Sequence, residues 1–485
     1  MKIGDDMNQN KRPLYEALKL HDKKNPLSLH VPGHKYGVIS PEEGGHYFQE
    51  VMKLDATELN GLDDLHQPEG AILEAEHLLA DLYQVEKSYL LVNGSTVGNL
   101  AMILATVKEN DFVLVQRNCH KSILNGIYLA KAEPVFLDPE YHHEWGVTGG
   151  ISIHTLEKAI QMYPNAKALI LTYPNYYGMV YGLGSMIKLA HEHKIPVLID
   201  EAHGAHFIAG SPFPKSAVTL GADIVVQSAH KTLPALTMGS YLHFNSQLLL
   251  KSHLEKYLHM LQSSSPSYLL MASLDQARSY LGTYEQEDRS YLLEQVHIFT
   301  EALQQIKEIK VLTYPFYEGD LLKVTIQSKT SLTGFDLQKS LENEGIYTEL
   351  ADPYNLLMVL PLLKNGMIYP FTYIIEKLNK VTQGLPIKER EIFVSPLKKK
   401  IGRLELSQRK QEVASKEVSS LSIAAGKICA ESIIPYPPGI PILLPGELIT
   451  TEDVETIQVL LNAGAKFQGS KHIYEGKLNT YRVEK

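Results

Sequence analysis

One lysine, Lys231, stands where a fully solvated side chain is not expected. It lies in the polar segment Ser228-Ala-His-Lys-Thr232, between the apolar residues 224–226 and 238–244, which are both typical of buried strands. Apolar surroundings and a neighbouring His230 lower the pKa of a lysine, and an uncharged amine is a nucleophile. Such an amine can form a Schiff base with an aldehyde cofactor, of which pyridoxal phosphate is the commonest. A lone lysine is more often an ordinary surface residue, so the choice between the two interpretations depends on the other residues of the chain.

A carboxylate, Asp200, directly follows another apolar run, residues 196–199. A buried carboxylate is costly unless it meets a cation, and the protonated ring nitrogen of pyridoxal phosphate is such a cation. Asp200 is alternatively a strand-end residue that caps the next turn. The sequence Asp200-Glu-Ala-His-Gly-Ala-His206 also offers His203 and His206 as metal ligands. It lacks the helical His-Glu-x-x-His frame, and we predict no metal site.

The segment Asn93-Gly-Ser-Thr-Val-Gly98 has the composition of a phosphate-binding turn. It separates a predicted strand, residues 88–92, from a predicted helix, residues 99–107. The free N–H groups at the start of such a helix bind phosphate well. The alternative is a plain helix cap in which Ser95 or Thr96 satisfies those N–H groups.

A histidine, His120, lies in Arg117-Asn-Cys-His-Lys-Ser122 and has the shape to stack flat on a pyridine ring. A lone histidine is more often a hydrogen-bonded core residue, and the residues alone leave both interpretations open.

The elements that must position these side chains alternate between strand and helix. Strands are predicted at residues 112–115, 134–137, 168–171, 196–199 and 224–226, and helices at residues 120–130, 155–162 and 184–193. This alternation predicts an α/β fold with a mostly parallel sheet, and the apolar strands indicate burial on both faces. Ligands of such sheets bind beyond the carboxyl ends of the strands. Ser95, His120, Asp200 and Lys231 all follow candidate strands or lie close to one.

The rest of the chain predicts further domains. A long helical region extends from about residue 263 to 307, and residues 321–360 form a second α/β unit. We interpret residues 387–416 as a linker or exposed helix, and the proline-rich residues 433–447 as a rigid extended segment. The predicted boundaries are an N-terminal segment 1–50, a large cofactor-binding domain 51–290, a small α/β domain 291–395 and a C-terminal domain 396–485.

Composition narrows the function classes. The 485 residues carry a net charge of −9 without a dense basic stripe, which argues against a nucleic-acid partner. The two cysteines cannot form a disulfide framework, and we find neither a signal peptide nor an apolar run of membrane-spanning length. We therefore expect a cytoplasmic protein that does not associate with membranes.

Several motifs together resemble those of the Orn/Lys/Arg decarboxylases, in the same order along the chain. They are His30-Val-Pro-Gly-His-Lys35, Gly61-Leu-Asp-Asp-Leu-His66, Asn93-Gly-Ser-Thr96, Arg117-Asn-Cys-His-Lys-Ser122, Asp200-Glu-Ala-His203, Ser228-Ala-His-Lys231, Pro435-Tyr-Pro-Pro-Gly-Ile-Pro441 and Pro445-Gly-Glu447. The resemblance runs from about residue 12 to the end and is closest to the short bacterial form, which lacks the N-terminal receiver-like domain. It implies the aspartate-aminotransferase-like fold of pyridoxal enzymes. The segment Thr172-Tyr-Pro-Asn-Tyr-Tyr-Gly178 departs from the pattern of relatives.

The resemblance also implies a role for each site residue. Lys231 would hold pyridoxal phosphate as a Schiff base, Asp200 would pair with the ring nitrogen, and His120 would stack on the ring. The other implied cofactor contacts are Ser95, Thr96, Ser228 and His230 at the phosphate, His203 beside the ring, and Ser264 or Ser265 at the phosphate of a partner subunit. Glu447 would recognise the cationic end of the substrate.

The function that follows is decarboxylation of a basic amino acid to its amine, with arginine favoured over lysine and ornithine. The expected assembly is a homodimer with shared sites, and a larger assembly stays open. The alternatives are another pyridoxal reaction on the same fold, namely transamination or β-elimination, and a non-catalytic regulatory or scaffold protein.

Overall fold

The computed structural model describes residues 7–315, 318–388, 401–435 and 441–482. Its helices, in chain order, are α1 (Pro13–Asp22), α2 (Gly45–Leu54), α3 (Ala71–Tyr83), α4 (Gly94–Thr106), α5 (Lys121–Leu129), α6 (Ile153–Met162), α7 (Leu183–Glu192), α8 (Ala229–Thr232), α9 (Lys251–Leu261), α10 (Tyr268–Gly282), α11 (Gln286–Gln304), α12 (Gly334–Asn343), α13 (Phe371–Thr382), α14 (Gln408–Val413) and α15 (Thr451–Asn462). In the described ranges no helix is long and apolar enough to cross a lipid bilayer.

The strands, in chain order, are β1 (Lys87–Leu91), β2 (Phe112–Gln116), β3 (Glu133–Leu137), β4 (Tyr141–His142), β5 (Val147–Thr148), β6 (Ala168–Thr172), β7 (Val197–Asp200), β8 (Ile224–Gln227), β9 (Ser240–Phe244), β10 (Ile309–Val311), β11 (Lys323–Ser328), β12 (Leu350–Ala351), β13 (Asn355–Val359), β14 (Ile401–Arg403), β15 (Lys416–Ser420), β16 (Ile428–Cys429), β17 (Ile434–Pro435), β18 (Phe467–Gln468) and β19 (Lys477–Tyr481). The chain divides into two compact units, residues 1–106 with 196–286 and residues 107–195 with 287–485.

The first unit carries four strands in the order β1-β9-β8-β7. β7 and β8 are parallel, whereas β9 runs antiparallel to both β8 and β1. β1, β7 and β8 therefore point the same way, so the residues that follow them lie at one edge of the sheet. Helix α4 packs tightly against these strands, because a Cβ on Gly98 would lie 2.7 Å from Leu91 Cδ1 and 2.9 Å from Val226 Cγ1. Glycine at position 98 thus lets the start of α4 sit close to that edge.

The second unit contains four strands in the order β6-β2-β3-β14 and a separate antiparallel sheet in the order β10-β11-β13-β12. β2 is parallel to both β6 and β3, and β14 is antiparallel to β3. The last part of this unit has its own sheet, β15-β19-β16, and its own buried apolar cluster around Leu421, Ile449 and Ile457. The C-terminal residues therefore pack around a core that they largely form themselves, with Phe335 packed against it.

The α/β fold with a mostly parallel, mixed sheet is confirmed, and local predictions are corrected or extended. Helix α4 begins at Gly94, so Ser95 and Thr96 lie in its first turn. The polar segment that contains Lys231 forms a short helix, α8. The strands within residues 321–360 are antiparallel, a direction that the sequence analysis did not predict because hydrophobic periodicity does not encode it. The described part of 387–416 contains helix α14, which has no buried residue and agrees with the predicted exposed helix, and strand β14, which was not predicted.

Two predictions about the chain's organisation are left as predictions. The first is the set of domain boundaries after residues 50, 290 and 395, of which the last falls outside the described residues. Residues 436–440 of the proline-rich segment also lie outside the described residues.

Candidate active site

Lys231 is presented by helix α8, directly after strand β8. Its side chain is half-buried, and its Nζ lies 3.0 Å from Nε2 of His203, a buried residue three positions beyond the end of β7. His230 turns the other way, since its Nδ1 lies 2.9 Å from the carbonyl oxygen of Gly239 and therefore carries the proton that it donates. This bond anchors α8 to the chain just before β9 and leaves Lys231 facing His203.

Asp200 is buried at the carboxyl end of β7 and is hydrogen-bonded through both oxygens. Its Oδ2 accepts from the side-chain amide of Asn99 at 3.0 Å, and its Oδ1 accepts from the backbone N–H of Ala202 at 3.2 Å. Asn99 is itself buried in α4. The sequence analysis missed Asn99, although an amide within an otherwise apolar helix was a usable signal.

Three serine hydroxyls meet at the start of α4. Ser95 Oγ lies 2.6 Å from Ser228 Oγ and donates to Ser240 Oγ at 3.1 Å. Ser228 and Ser240 are buried, and Thr96 is exposed beside Ser95 in the same helical turn. Hydroxyls gathered at a helix N-terminus form a suitable site for a phosphate group. The sequence analysis missed Ser240, which opens strand β9 and is far from Ser95 in the chain.

The donor groups of the first unit match the three functional parts of pyridoxal phosphate. Lys231 would supply an amine for the aldehyde, Asp200 a buried carboxylate for the ring nitrogen, and the serine hydroxyls a partner for the phosphate. In the described ranges we find no three His, Cys, Asp or Glu side chains grouped to hold a metal ion. His206 packs edge-on against Phe207 and Phe213. The residues therefore fit the cofactor that the sequence predicts.

Ser264 is exposed in a short serine-rich segment that is anchored close to the start of α4. The backbone N–H of the adjacent Ser263 donates to Asn93 Oδ1 at 3.1 Å, and Asn93 directly precedes α4. The contact of Ser264 with a partner subunit's phosphate stays a prediction.

His120 belongs to the second unit, where it caps helix α5. It is exposed, and its Nδ1 accepts the backbone N–H of Ser122 at 3.2 Å. Nδ1 is thus the acceptor in this hydrogen bond. The stacking role of His120 stays a prediction.

Glu447, also in the second unit, is buried and paired. Its Oε2 lies 2.7 Å from Arg117 Nη2 and accepts the backbone N–H of Leu444 at 2.8 Å. The same Arg117 nitrogen donates to the carbonyl oxygen of Ile442. The ion pair joins residues that are 330 positions apart in the chain, and the sequence analysis missed it. Any contact between Glu447 and substrate stays a prediction.

The unusual segment Thr172–Gly178 packs within the second unit. Tyr176 donates to Glu349 at 2.7 Å, and the buried Tyr177 donates to Asp352. Burial raises the pKa of Tyr177 well above its ordinary value, and the nearby Asp352 adds to the shift, so the hydroxyl keeps its proton. These tyrosines therefore have structural partners of their own.

Comparisons with known proteins agree with these motifs. The family model "Orn/Lys/Arg decarboxylase, major domain" matches residues 12–324, and "Orn/Lys/Arg decarboxylase, C-terminal domain" matches residues 391–481. The uncharacterized protein YaaO of Bacillus subtilis is 44% identical over 97% of this chain and 99% of its own. An arginine decarboxylase of the same species is 34% identical over 99% of both chains.

The fold is also that of a solved decarboxylase structure. The constitutive lysine decarboxylase of Escherichia coli superposes with a TM-score of 0.78 at 20% identity, over 98% of this chain and 82% of that one. At this identity the superposition shows a shared fold.

Proposed function

Since this chain belongs to the Orn/Lys/Arg decarboxylase family, we propose that it decarboxylates a basic amino acid, preferably arginine, with pyridoxal phosphate bound at Lys231. The observation that carries the proposal is the grouping in the first unit of a half-buried lysine, a buried carboxylate and a serine cluster at a helix N-terminus.

The choice of arginine is supported by the relatives. Proteins named arginine decarboxylase are 32–34% identical to this chain, whereas proteins named lysine decarboxylase are 23% identical. A guanidinium and an ammonium group differ in hydrogen-bond geometry, so the two substrates place different demands on a pocket. Glu447 is our proposed contact for the cationic end of the substrate.

Each residue of the first unit has a defined task in this proposal. When bound, pyridoxal phosphate supplies an electron sink for the electrons of the broken bond between Cα and the carboxylate. The Asp200 carboxylate holds a proton on the ring nitrogen, because a buried anion favours the protonated form of a neighbouring base. The serine hydroxyls and the first turn of α4 hold the phosphate.

Proton exchange is assigned to the pair formed by Lys231 and His203. Their nitrogens are 3.0 Å apart, which is a direct hydrogen-bonding distance. His203 is buried, so a proton held on its ring is shielded from bulk water. In our proposal Lys231 Nζ carries the cofactor at rest, and Lys231 or His203 returns a proton to the substrate Cα.

The test is product analysis with purified protein and arginine, lysine or ornithine. We expect agmatine and CO2 from arginine, and a loss of about a thousandfold or more in turnover for Lys231→Ala. Lys251→Ala is the matched control, because Lys251 forms an exposed ion pair with Glu86 in the same unit and should keep full activity.

Other outcomes point to the alternatives. Keto-acid products would indicate transamination. Absence of turnover with all three substrates, together with absence of a visible cofactor absorption band, would favour a non-catalytic protein.

A further inference from the structure

A second carboxylate, Glu201, lies directly after Asp200 and is fully buried. Its Oε2 accepts hydrogen bonds from Gln227 Nε2 at 2.6 Å and from Ser216 Oγ at 2.7 Å. Its Oε1 accepts the backbone N–H of Ala217 at 2.6 Å. Nothing in the proposed chemistry uses this carboxylate, yet three donors converge on it.

The bond between Glu201 and Gln227 joins two strand ends at the site. Asp200 and Val226 are register partners in the parallel pair of β7 and β8, and the backbone N–H of Glu201 donates to the carbonyl oxygen of Val226 at 2.9 Å. Glu201 and Gln227 are the residues that directly follow this register pair, one on each segment. Asp200 immediately precedes one partner of this bond, and Ser228 immediately follows the other.

Two further hydrogen bonds lead to Gln227, and in each the donor lies on the side away from Glu201. Gln227 Oε1 accepts from His243 Nε2 at 3.1 Å, and His243 Nδ1 accepts from Ser88 Oγ at 2.8 Å. His243 is also stacked on Tyr83, with ring centroids 4.1 Å apart. Burial lowers the pKa of His243 to about 3, so the ring is neutral with its proton on Nε2.

This chain of donors ends at the Glu201 carboxylate. Burial raises the pKa of Glu201 to about 7, while its hydrogen bonds to Ala217, Gln227 and Ser216 act in the opposite direction. Groups in a buried network that are hydrogen-bonded in this way are held at one separation and in one orientation. An apolar pair at positions 201 and 227 would add packing energy without fixing that geometry.

We propose that Glu201 is a positioning residue, whose hydrogen bond to Gln227 sets the spacing between Asp200 and the segment from Ser228 to Lys231. The inference rests on the proposed function, because the spacing matters only if both strand ends contact one cofactor. Pyridoxal phosphate is rigid between its ring nitrogen and its aldehyde carbon. A small shift between the two strand ends would therefore weaken one contact or the other.

The experiment compares two variants that each remove one donor from Glu201 Oε2. Gln227→Met breaks the tie between the strand ends, whereas Ser216→Ala leaves that tie in place. The readouts are the dissociation constant of pyridoxal phosphate for the apo-protein, the position of the visible absorption band of the bound cofactor, and thermal unfolding of the apo-protein. We expect Gln227→Met to weaken cofactor binding about tenfold and to shift the band, and Ser216→Ala to change affinity less than about twofold.

Two further variants keep the test decisive if Gln227→Met does not fold. Glu201→Gln places an amide against the Gln227 amide and should also weaken cofactor binding. The reciprocal exchange, Glu201→Gln with Gln227→Glu, rebuilds a carboxylate–amide bond across the strand ends and should restore the affinity to within about threefold of wild type.

The outcomes separate this inference from the function that it rests on. A wild-type protein that takes up no cofactor overturns the proposed function, and the inference with it. If the wild type binds the cofactor, and Gln227→Met and Glu201→Gln bind it with the same affinity and an unshifted absorption band, the inference alone is overturned. Equal losses in Gln227→Met and Ser216→Ala, in proportion to lost stability, also overturn it, because Glu201 would then be a purely structural residue.

Discussion

At the scale of single residues, the surroundings of Asp200 explain how a buried carboxylate is kept available for a cation. Asn99 and the Ala202 backbone donate hydrogen bonds to it, and both donors are neutral. Neutral donors orient the carboxylate without cancelling its charge, whereas an arginine or lysine in their place would do both. The arrangement therefore favours a cationic partner such as a protonated ring nitrogen.

Asn99→Leu tests this explanation. Loss of the amide leaves Oδ2 of Asp200 without its orienting donor, at a cost of about 1–3 kcal/mol for a buried group. A protonated cofactor ring restores part of that loss, so we expect the apo-protein to be destabilised more than the cofactor-bound protein. Thermal unfolding of both forms and cofactor titration measure the effect.

Thr106→Val serves as the control for Asn99→Leu. Thr106 lies at the other end of α4 and donates to the Met102 carbonyl at 2.7 Å. Its replacement should alter both forms equally. Equal destabilisation of the two forms by Asn99→Leu as well would contradict the orienting role.

At the scale of elements, helix α3 depends on a carboxylate that lies outside it. Gly70 precedes the helix and offers no side-chain cap. The Asp63 side chain provides the missing cap and accepts hydrogen bonds from the backbone N–H groups of Asp64, Glu69, Gly70, Ile72 and Leu73. Burial alone would raise the pKa of Asp63, but these hydrogen bonds outweigh it and hold the pKa below its ordinary value.

Asp63→Asn should lower the free energy of unfolding by about 1 kcal/mol at neutral pH, in the range of lost helix caps. Because the folded pKa is lowered, the advantage of the wild type is complete above the unfolded pKa of about 3.9. It is lost as the pH falls through the folded value. Urea unfolding across this range should show the wild-type and variant midpoints converging at low pH.

Asp64→Asn is the matched control, because Asp64 accepts one backbone N–H, that of His66, through its side chain. Its effect should be smaller than that of Asp63→Asn. A constant gap between wild type and Asp63→Asn at all pH values would contradict the proposed charge dependence.

Elements with local signals could be predicted from the sequence, and contacts between distant segments could not. Apolar runs closed by Asp200 and by Ser228 identified β7, β8 and the edge where they end. Ser240 and Asn99 escaped notice because their partners lie 145 and 101 positions away. The pairing of Glu447 with Arg117 was missed for the same reason, since no periodicity connects such positions.

At the scale of the whole molecule, we propose that an apolar surface near the N-terminus is the interface of the expected homodimer. Leu27 and Leu29 are 97% and 100% exposed. The same stretch also exposes Val31, Val38, Ile39, Tyr47 and Phe48. Apolar residues concentrated in one exposed stretch usually mark an interface. We therefore expect a second copy of the chain to cover this surface.

Leu27→Asp combined with Leu29→Asp should separate the subunits, because two charges would have to be buried in the interface. Light scattering after size-exclusion chromatography measures the mass. Lys19→Asp with Lys23→Asp, at exposed polar positions nearby, is the control and should stay dimeric. A double leucine variant that keeps the mass of a dimer would place the interface elsewhere.

If the active sites are shared between subunits, a further experiment distinguishes a dimer with shared sites from a dimer in which each site belongs to one subunit. If Ser264 contacts the phosphate bound by its partner, Ser264→Asp inactivates its partner's site by placing a negative charge beside the phosphate. Lys231→Ala inactivates the site of its own subunit. In a mixed dimer, both defects fall on one site and the other site has only wild-type residues. Co-expression of the two inactive variants should therefore restore about a quarter of wild-type activity, because about half of the dimers are mixed and each has one intact site. Sites contained within single subunits would give no such recovery, since each chain would carry its own defect.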